Sequence, residues 1–127
     1  MNVKQLFWAF RFPILVFVVS EIALDPIIVR LPWFDKVMHV LGGIVVALSA
    51  VELLAIWHEE KKFSGSAVVR FLFIVSFVAL IAVAWEWYEV LRAALSNTLP
   101  NSLEDTLADL AFGIGGAMTI GFWRRVR

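Results

Sequence analysis

Between Arg70 and Glu86 the chain carries no charged residue: FLFIVSFVALIAVAW fills the whole interval. Crossing a hydrocarbon core of about 30 Å takes about 20 mostly apolar residues in a helix. Lipid offers backbone polar groups no partner, so such a run must satisfy its own hydrogen bonds as helix. Three other stretches read the same way, and the expected spans are about 5–24, 34–57, 70–91 and 103–123. The first contains Arg11 and Pro13, and Pro13 is expected to kink it. With 127 residues, 61% of them hydrophobic, and a mean hydropathy of +0.86, one domain is the limit. The expected fold is an all-α membrane protein, a single bundle of four transmembrane helices.

The segments between the spans are short. DPIIVRLPW, with Pro26 and Pro32 around an apolar centre, is expected to lie in the membrane interface, and SNTLPNS reads as a turn. The first span has no small-residue cleavage site behind it and is read as a retained helix, not a signal peptide. Zero formal net charge gives no basis for nucleic-acid binding. The absence of cysteine excludes disulfides, thiolate metal sites and cysteine nucleophiles.

Direction follows from the distribution of Lys and Arg. Lys4, Arg11, Lys61, Lys62, Arg70, Arg124, Arg125 and Arg127 share one side of a four-span topology, and Arg30, Lys36 and Arg92 share the other. Both termini are therefore expected in the cytoplasm of a cell with this protein in its plasma or inner membrane. Trp8, Trp57 and Trp123 fall at the inner ends of the spans and Trp33, Trp85 and Trp87 at the outer ends, as interfacial belts would place them.

The acids gather at the outer ends. Glu21 and Asp25 close the first span, Asp35 opens the second, Glu86 and Glu89 close the third, and Glu104, Asp105 and Asp109 open the fourth. His39 joins them one turn inside Asp35. Glu21/Asp25, Asp35/His39 and Asp105/Asp109 are i,i+4 pairs and Glu86/Glu89 is i,i+3, so each pair shares a helix face. At 1.5 Å per residue, Glu21 lies about 25 Å beyond Lys4, Glu86 about 24 Å beyond Arg70, Asp109 about 22 Å before Arg124, and His39 about 27 Å before Trp57. Four ionisable groups from four helices thus meet in one shallow layer.

Such groups cost free energy inside a membrane and normally face a cavity or a partner. Carboxylates held close together also require protonation or a cation. One imidazole among carboxylates is a hard ligand set, suited to Mg²⁺, Mn²⁺, Fe²⁺ or Zn²⁺. The expected metal ligands are Asp35, His39, Glu86, Asp105 and Asp109, with Glu86 and Glu89 as candidate catalytic carboxylates. Lys36 and Arg92, and Arg30 at the same rim, are the candidates for gripping a phosphate headgroup, and Glu21 is an additional polar member.

Local roles compete with the site for several of these residues. Ser102-Leu103-Glu104-Asp105 resembles a capping box, which accounts for Glu104 and Asp105 without any ligand. Asp35 can pair with Lys36, Glu89 with Arg92, and Asp25 can end a helix before Pro26. Glu52 and His58 belong to the inner interface or to a local polar contact. Gly42 and Gly43 follow His39, and Gly113 and Gly116 continue the Asp105/Asp109 face, so the second and fourth helices are expected to pack closely there.

DKVMHVLGG (Asp35 to Gly43), WEWYE (Trp85 to Glu89) and DTLADLAFGIGGA (Asp105 to Ala117), in that order, resemble the pattern of the VanZ-like and YjdF-like small membrane proteins. That pattern has an Asp-x3-His opening a helix, an acidic pair ending the next, and an Asp-x3-Asp or Asp-x3-Asn before small residues opening the last. Asp35, His39, Glu86, Glu89, Asp105 and Asp109 match it. YjdF-like members usually carry more helices, so the chain looks like a reduced core. The resemblance implies an envelope role, VanZ being linked to glycopeptide-antibiotic resistance, and it supplies no reaction.

Three functions remain open on the sequence: a metal-dependent enzyme facing outward and acting on a lipid or cell-envelope substrate, a cation- or proton-binding transporter, and an accessory membrane subunit. Membrane lipids are the expected surroundings in each case, and homo-oligomers are compatible with all three.

Overall fold

The computed structural model describes residues 2–24, 31–60 and 65–126. Asp25, Pro26, Arg30, Lys61, Lys62 and Arg127 lie outside the described residues, so most of DPIIVRLPW does too. The helices are α1 (Val3–Val19), continued by a π-helical segment Ser20–Leu24, then α2 (Pro32–Glu59), α3 (Ala67–Leu95) and α4 (Leu103–Val126), and no strand occurs among the described residues. Four stretches are long and apolar enough to cross a membrane: Val3–Ile22, Trp33–Glu59, Ala67–Leu95 and Leu103–Trp123.

Local chemistry marks the ends. Asn2 and Gln5 form a reciprocal capping box at α1, with bonds of 2.8 and 2.9 Å. Pro32 stands in the first turn of α2, where its missing N–H costs nothing. Ser66 caps Val69 N and Ser102 caps Asp105 N, at 3.3 and 3.2 Å. The SNTLPNS turn begins with Asn97 at φ +55°, and Thr98 N reaches back to Ala93 O at 2.9 Å. This is the left-handed ending that asparagine tolerates after a helix. Pro13 sits inside α1 without ending it.

α2 and α3 have 28 and 29 residues, about 42–44 Å at the standard rise, so each outruns a 30 Å core by a few turns. The extra turn of α3 carries Arg92.

Successive helices run antiparallel, and α2, α3 and α4 supply the core of Ala47, Ala50, Leu54, Ile74, Val78 and Ala117. Between helices in lipid the association must come from close packing, since the tails are as apolar as the side chains. The closest approach joins α2 to α4. A Cβ on Gly43 would lie 2.0 Å from Gly113 O, and one on Gly116 would lie 2.4 Å from Val40 O. Gly121 similarly admits the Phe71 ring of α3. Gly42 behaves differently: a Cβ there meets nothing within 4 Å. The expected glycine contact is thus made by Gly43, Gly113 and Gly116, while Gly42 borders open space.

α1 is held differently. It packs on α2, and Arg11 makes a bidentate ion pair with Glu52 at 2.9 and 3.0 Å. Arg11 also donates to the Trp8 carbonyl and lies over the Phe12 ring. Among the described residues no α1 Cα comes within 8 Å of α3. Aromatic side chains join the two helices, Phe10 on Phe77 and Phe17 on both Trp85 and Tyr88. A gap remains beneath those rings.

Candidate functional site

The first turn of α2, the last turns of α3 and the first turns of α4 meet at one end of the bundle, and His39 is at their centre. Its Nε2 lies 3.7 Å from Asp109 Oδ1 and 3.8 Å from Asp35 Oδ1. Asp35, His39 and Asp109 present ligand atoms that all lie within 4.8 Å of one another, and so do His39, Glu86 and Glu89. His39 belongs to both trios. The close α2–α4 crossing explains the first: Gly113 and Gly116 let α4 approach α2 just below Asp109, which aims the carboxylate at His39.

Asp109 is fully buried, with its side chain 0% exposed. Its Oδ1 accepts a bond from Lys36 Nζ at 2.6 Å, and its Oδ2 has no hydrogen-bond partner among the described residues. Lys36 also donates to Asp105 and stands 3.6 Å from Asp35 Oδ2. The ammonium expected at the rim for a substrate phosphate therefore lies among three carboxylates of the protein. The capping reading of Asp105 holds for its backbone, which Ser102 caps, while its side chain bonds Lys36. Glu104 is exposed.

Glu86 is buried where α3 packs against α4, beside Thr106. Both oxygens of Glu89 accept bonds, Oε1 from Trp85 Nε1 and Oε2 from Asn101 Nδ2, each at 3.0 Å. Each carboxylate oxygen has a second lone pair, so these bonds orient Glu89 and leave it able to ligate. Glu21 lies on the π-helical segment, a deformation frequent at functional sites. It accepts from the Tyr88 hydroxyl at 2.9 Å and from Arg92 Nη1 at 3.4 Å. Arg92 thus pairs with Glu21, from the π-helical segment.

A cavity of about 360 Å³ adjoins this cluster in the gap between α1 and α3, closed behind by α2. Glu21, Asp35, His39, Glu89 and Arg92 line its polar end. Below them Met38, Val45, Val46, Val78 and Ala82 make an apolar shaft, with Gly42 on its wall.

Tyr88, Thr106 and Asn101 were not among the candidates read from the sequence. Tyr88 had a signal, lying between two acids in WEWYE. Asn101 had none. Trp85, assigned to an interfacial belt, is half-buried, lines the cavity and bonds Glu89, whereas Trp87 and Trp33 are exposed. At the opposite end Glu52 is committed to Arg11.

No curated protein and no solved structure matches the chain. A protein-family model described as "Predicted membrane protein (DUF2238)" matches residues 6–127. That stretch includes all but the first three residues of the first span, the whole of the other three and every residue of the cluster, and the chain belongs to this family of predicted membrane proteins.

Proposed function

We propose that the protein binds a divalent cation at the His39-centred cluster and uses it in a reaction on a lipid or cell-envelope substrate. The observation that carries this reading is the pair of ligand trios sharing His39. Lys36 already neutralises the Asp35–Asp109 side. This favours His39, Glu86 and Glu89 as the trio that holds the ion.

Mg²⁺, Mn²⁺, Fe²⁺ or Zn²⁺ fits this donor set. When bound, such an ion lowers the pKa of a coordinated water toward about 7. A carboxylate of the cluster that does not ligate is placed to accept the water proton. The Lys/Arg distribution supports a topology with both termini in the cytoplasm and the site on the extracytoplasmic side of the plasma or inner membrane. The likeness to VanZ-like and YjdF-like proteins agrees with work at the envelope. A transport function draws less support, because Glu52, the carboxylate further along a conduction path, is occupied by Arg11.

Metal analysis of purified protein tests the proposal. Wild type should carry a stoichiometric divalent ion, and His39→Ala and Glu86→Gln should lose it while remaining folded. Well-folded wild type that takes up no divalent ion on dialysis against each of the four metals would sink the reading.

A further inference from the structure

The cavity has two features that the cation cluster alone does not require. First, it opens sideways. Ile14, Phe17 and Ile81 line it and are also exposed, by 48%, 40% and 37%. In a helix bundle spanning a bilayer, atoms exposed at mid-length face lipid chains, so the gap between α1 and α3 is a doorway to the membrane and not to water. Second, its lining changes character along the bundle, from the apolar shaft to the polar end at His39, Glu89 and Arg92. A ligand that fits both must be apolar at one end and polar at the other.

We infer that the cavity admits one hydrocarbon chain of a phosphate-bearing membrane lipid, laterally between α1 and α3, and brings its headgroup to the His39 cluster. The volume, about 360 Å³, is near the lower end of the 300–1,000 Å³ typical of ligand pockets. It suits one chain and not a whole two-chain lipid, so the second chain stays in the bilayer through the open side. The wall is already shaped for this occupant: Gly42 leaves its share of the shaft empty, although the space around it would accept a side chain.

The headgroup assignment rests on the cation reading above. Glu21, Asp35 and Glu89 outnumber Arg92 at the polar end, and carboxylates alone repel phosphate. A divalent ion on the cluster reverses that balance, with Arg92 as the second anion contact. Chain insertion depends on the apolar shaft and is independent of the ion. Phosphate selectivity depends on the ion, so the two parts fail separately.

The experiment uses full-length protein in phosphatidylcholine nanodiscs. One probe is phosphatidic acid with a diazirine midway along one acyl chain, and the other is diacylglycerol with the same chain. After irradiation, adducts are mapped by mass spectrometry with and without Mn²⁺. Both lipids should label Ile14, Phe17, Ile81 or Trp85 above the level at Leu80, which is exposed on α3 but does not line the cavity. Mn²⁺ should favour phosphatidic acid over diacylglycerol. Gly42→Leu should reduce cavity labelling to the Leu80 level, while Gly42→Ala retains it. Ile81→Trp, which narrows the doorway from α3, is the parallel variant if Gly42→Leu does not fold. Labelling no higher than at Leu80 in wild type, or unchanged in a folded cavity-filling variant, overturns chain insertion. Cavity labelling with no Mn²⁺-dependent preference overturns the phosphate headgroup, and protein that also binds no Mn²⁺ overturns the cation reading while leaving the cavity a lipid site.

Discussion

Lys36 Nζ bonds Asp109 Oδ1 at 2.6 Å, and the other oxygen of the same carboxylate is buried with no hydrogen-bond partner among the described residues. The charge of Asp109 is thus half served by a tethered ammonium from α2. Removing that ammonium leaves a fully buried carboxylate beside Asp35 and Asp105. Lys36→Ala should lower stability by about 3–5 kcal/mol, the usual consequence of deleting one partner of a buried pair. Detergent-titration unfolding followed by tryptophan fluorescence measures this. Adding Mn²⁺ to the variant should recover part of the loss, because a free cation can then take the place of the ammonium.

The two trios make different predictions for the ion. If Lys36 serves the Asp35–Asp109 side, Glu86→Gln should abolish Mn²⁺ binding and Asp35→Asn should retain most of it. The Mn²⁺ paramagnetic signal of titrated protein distinguishes them. The reverse ranking would move the ion to Asp35, His39 and Asp109 and make Lys36 its competitor.

Adjacent glycines should respond in opposite ways. Gly43→Ala forces a Cβ against the Gly113 backbone, which has no side chain to swing aside. Overpacking typically costs about 1–3 kcal/mol, occasionally more, and the rigid backbone places this variant at the upper end. Gly42→Ala meets no atom and should be neutral or gain a few tenths of a kcal/mol from helix propensity. Thermal unfolding of the two variants in one detergent gives the comparison.

Arg11 and Glu52 can be separated by a double-mutant cycle. Glu52→Leu alone leaves Arg11 without its counter-charge and should destabilise the fold by about 3 kcal/mol, whereas Arg11→Leu with Glu52→Leu should recover much of that loss. A double variant as unstable as the single one would show that Arg11 acts through Trp8 and Phe12 and not through Glu52.

Much of the candidate site could be read before any coordinates because membrane helices are rulers. A fixed rise of 1.5 Å per residue turns sequence spacing into depth, so His39, Glu86 and Asp109 could be placed at one level by counting. Rotation about each helix axis was less accessible. Gly42 and Gly43 differ by about 100° around α2, and only packing decides that Gly43 faces α4 while Gly42 faces the cavity. The same limit hid the inward turn of Trp85 and the reach of Tyr88 to Glu21. The partners of Lys36 were hidden for another reason. Its neighbour Asp35 looked like a sufficient partner, and nothing local indicates that α4 delivers two more carboxylates to the same ammonium. The π-helical segment at Ser20–Leu24 has no comparable signature in the sequence.

The Arg11–Glu52 pair also bears on how the chain enters the membrane. Synthesis delivers α1 first, and an arginine on an isolated spanning helix costs up to about 2.5–3.5 kcal/mol on insertion scales. Its counter-charge lies 41 residues downstream, on α2, so α1 by itself would carry an unpaired arginine into lipid. Full membrane retention of the first helix is therefore coupled to arrival of the second, and the natural unit of insertion is the α1–α2 hairpin.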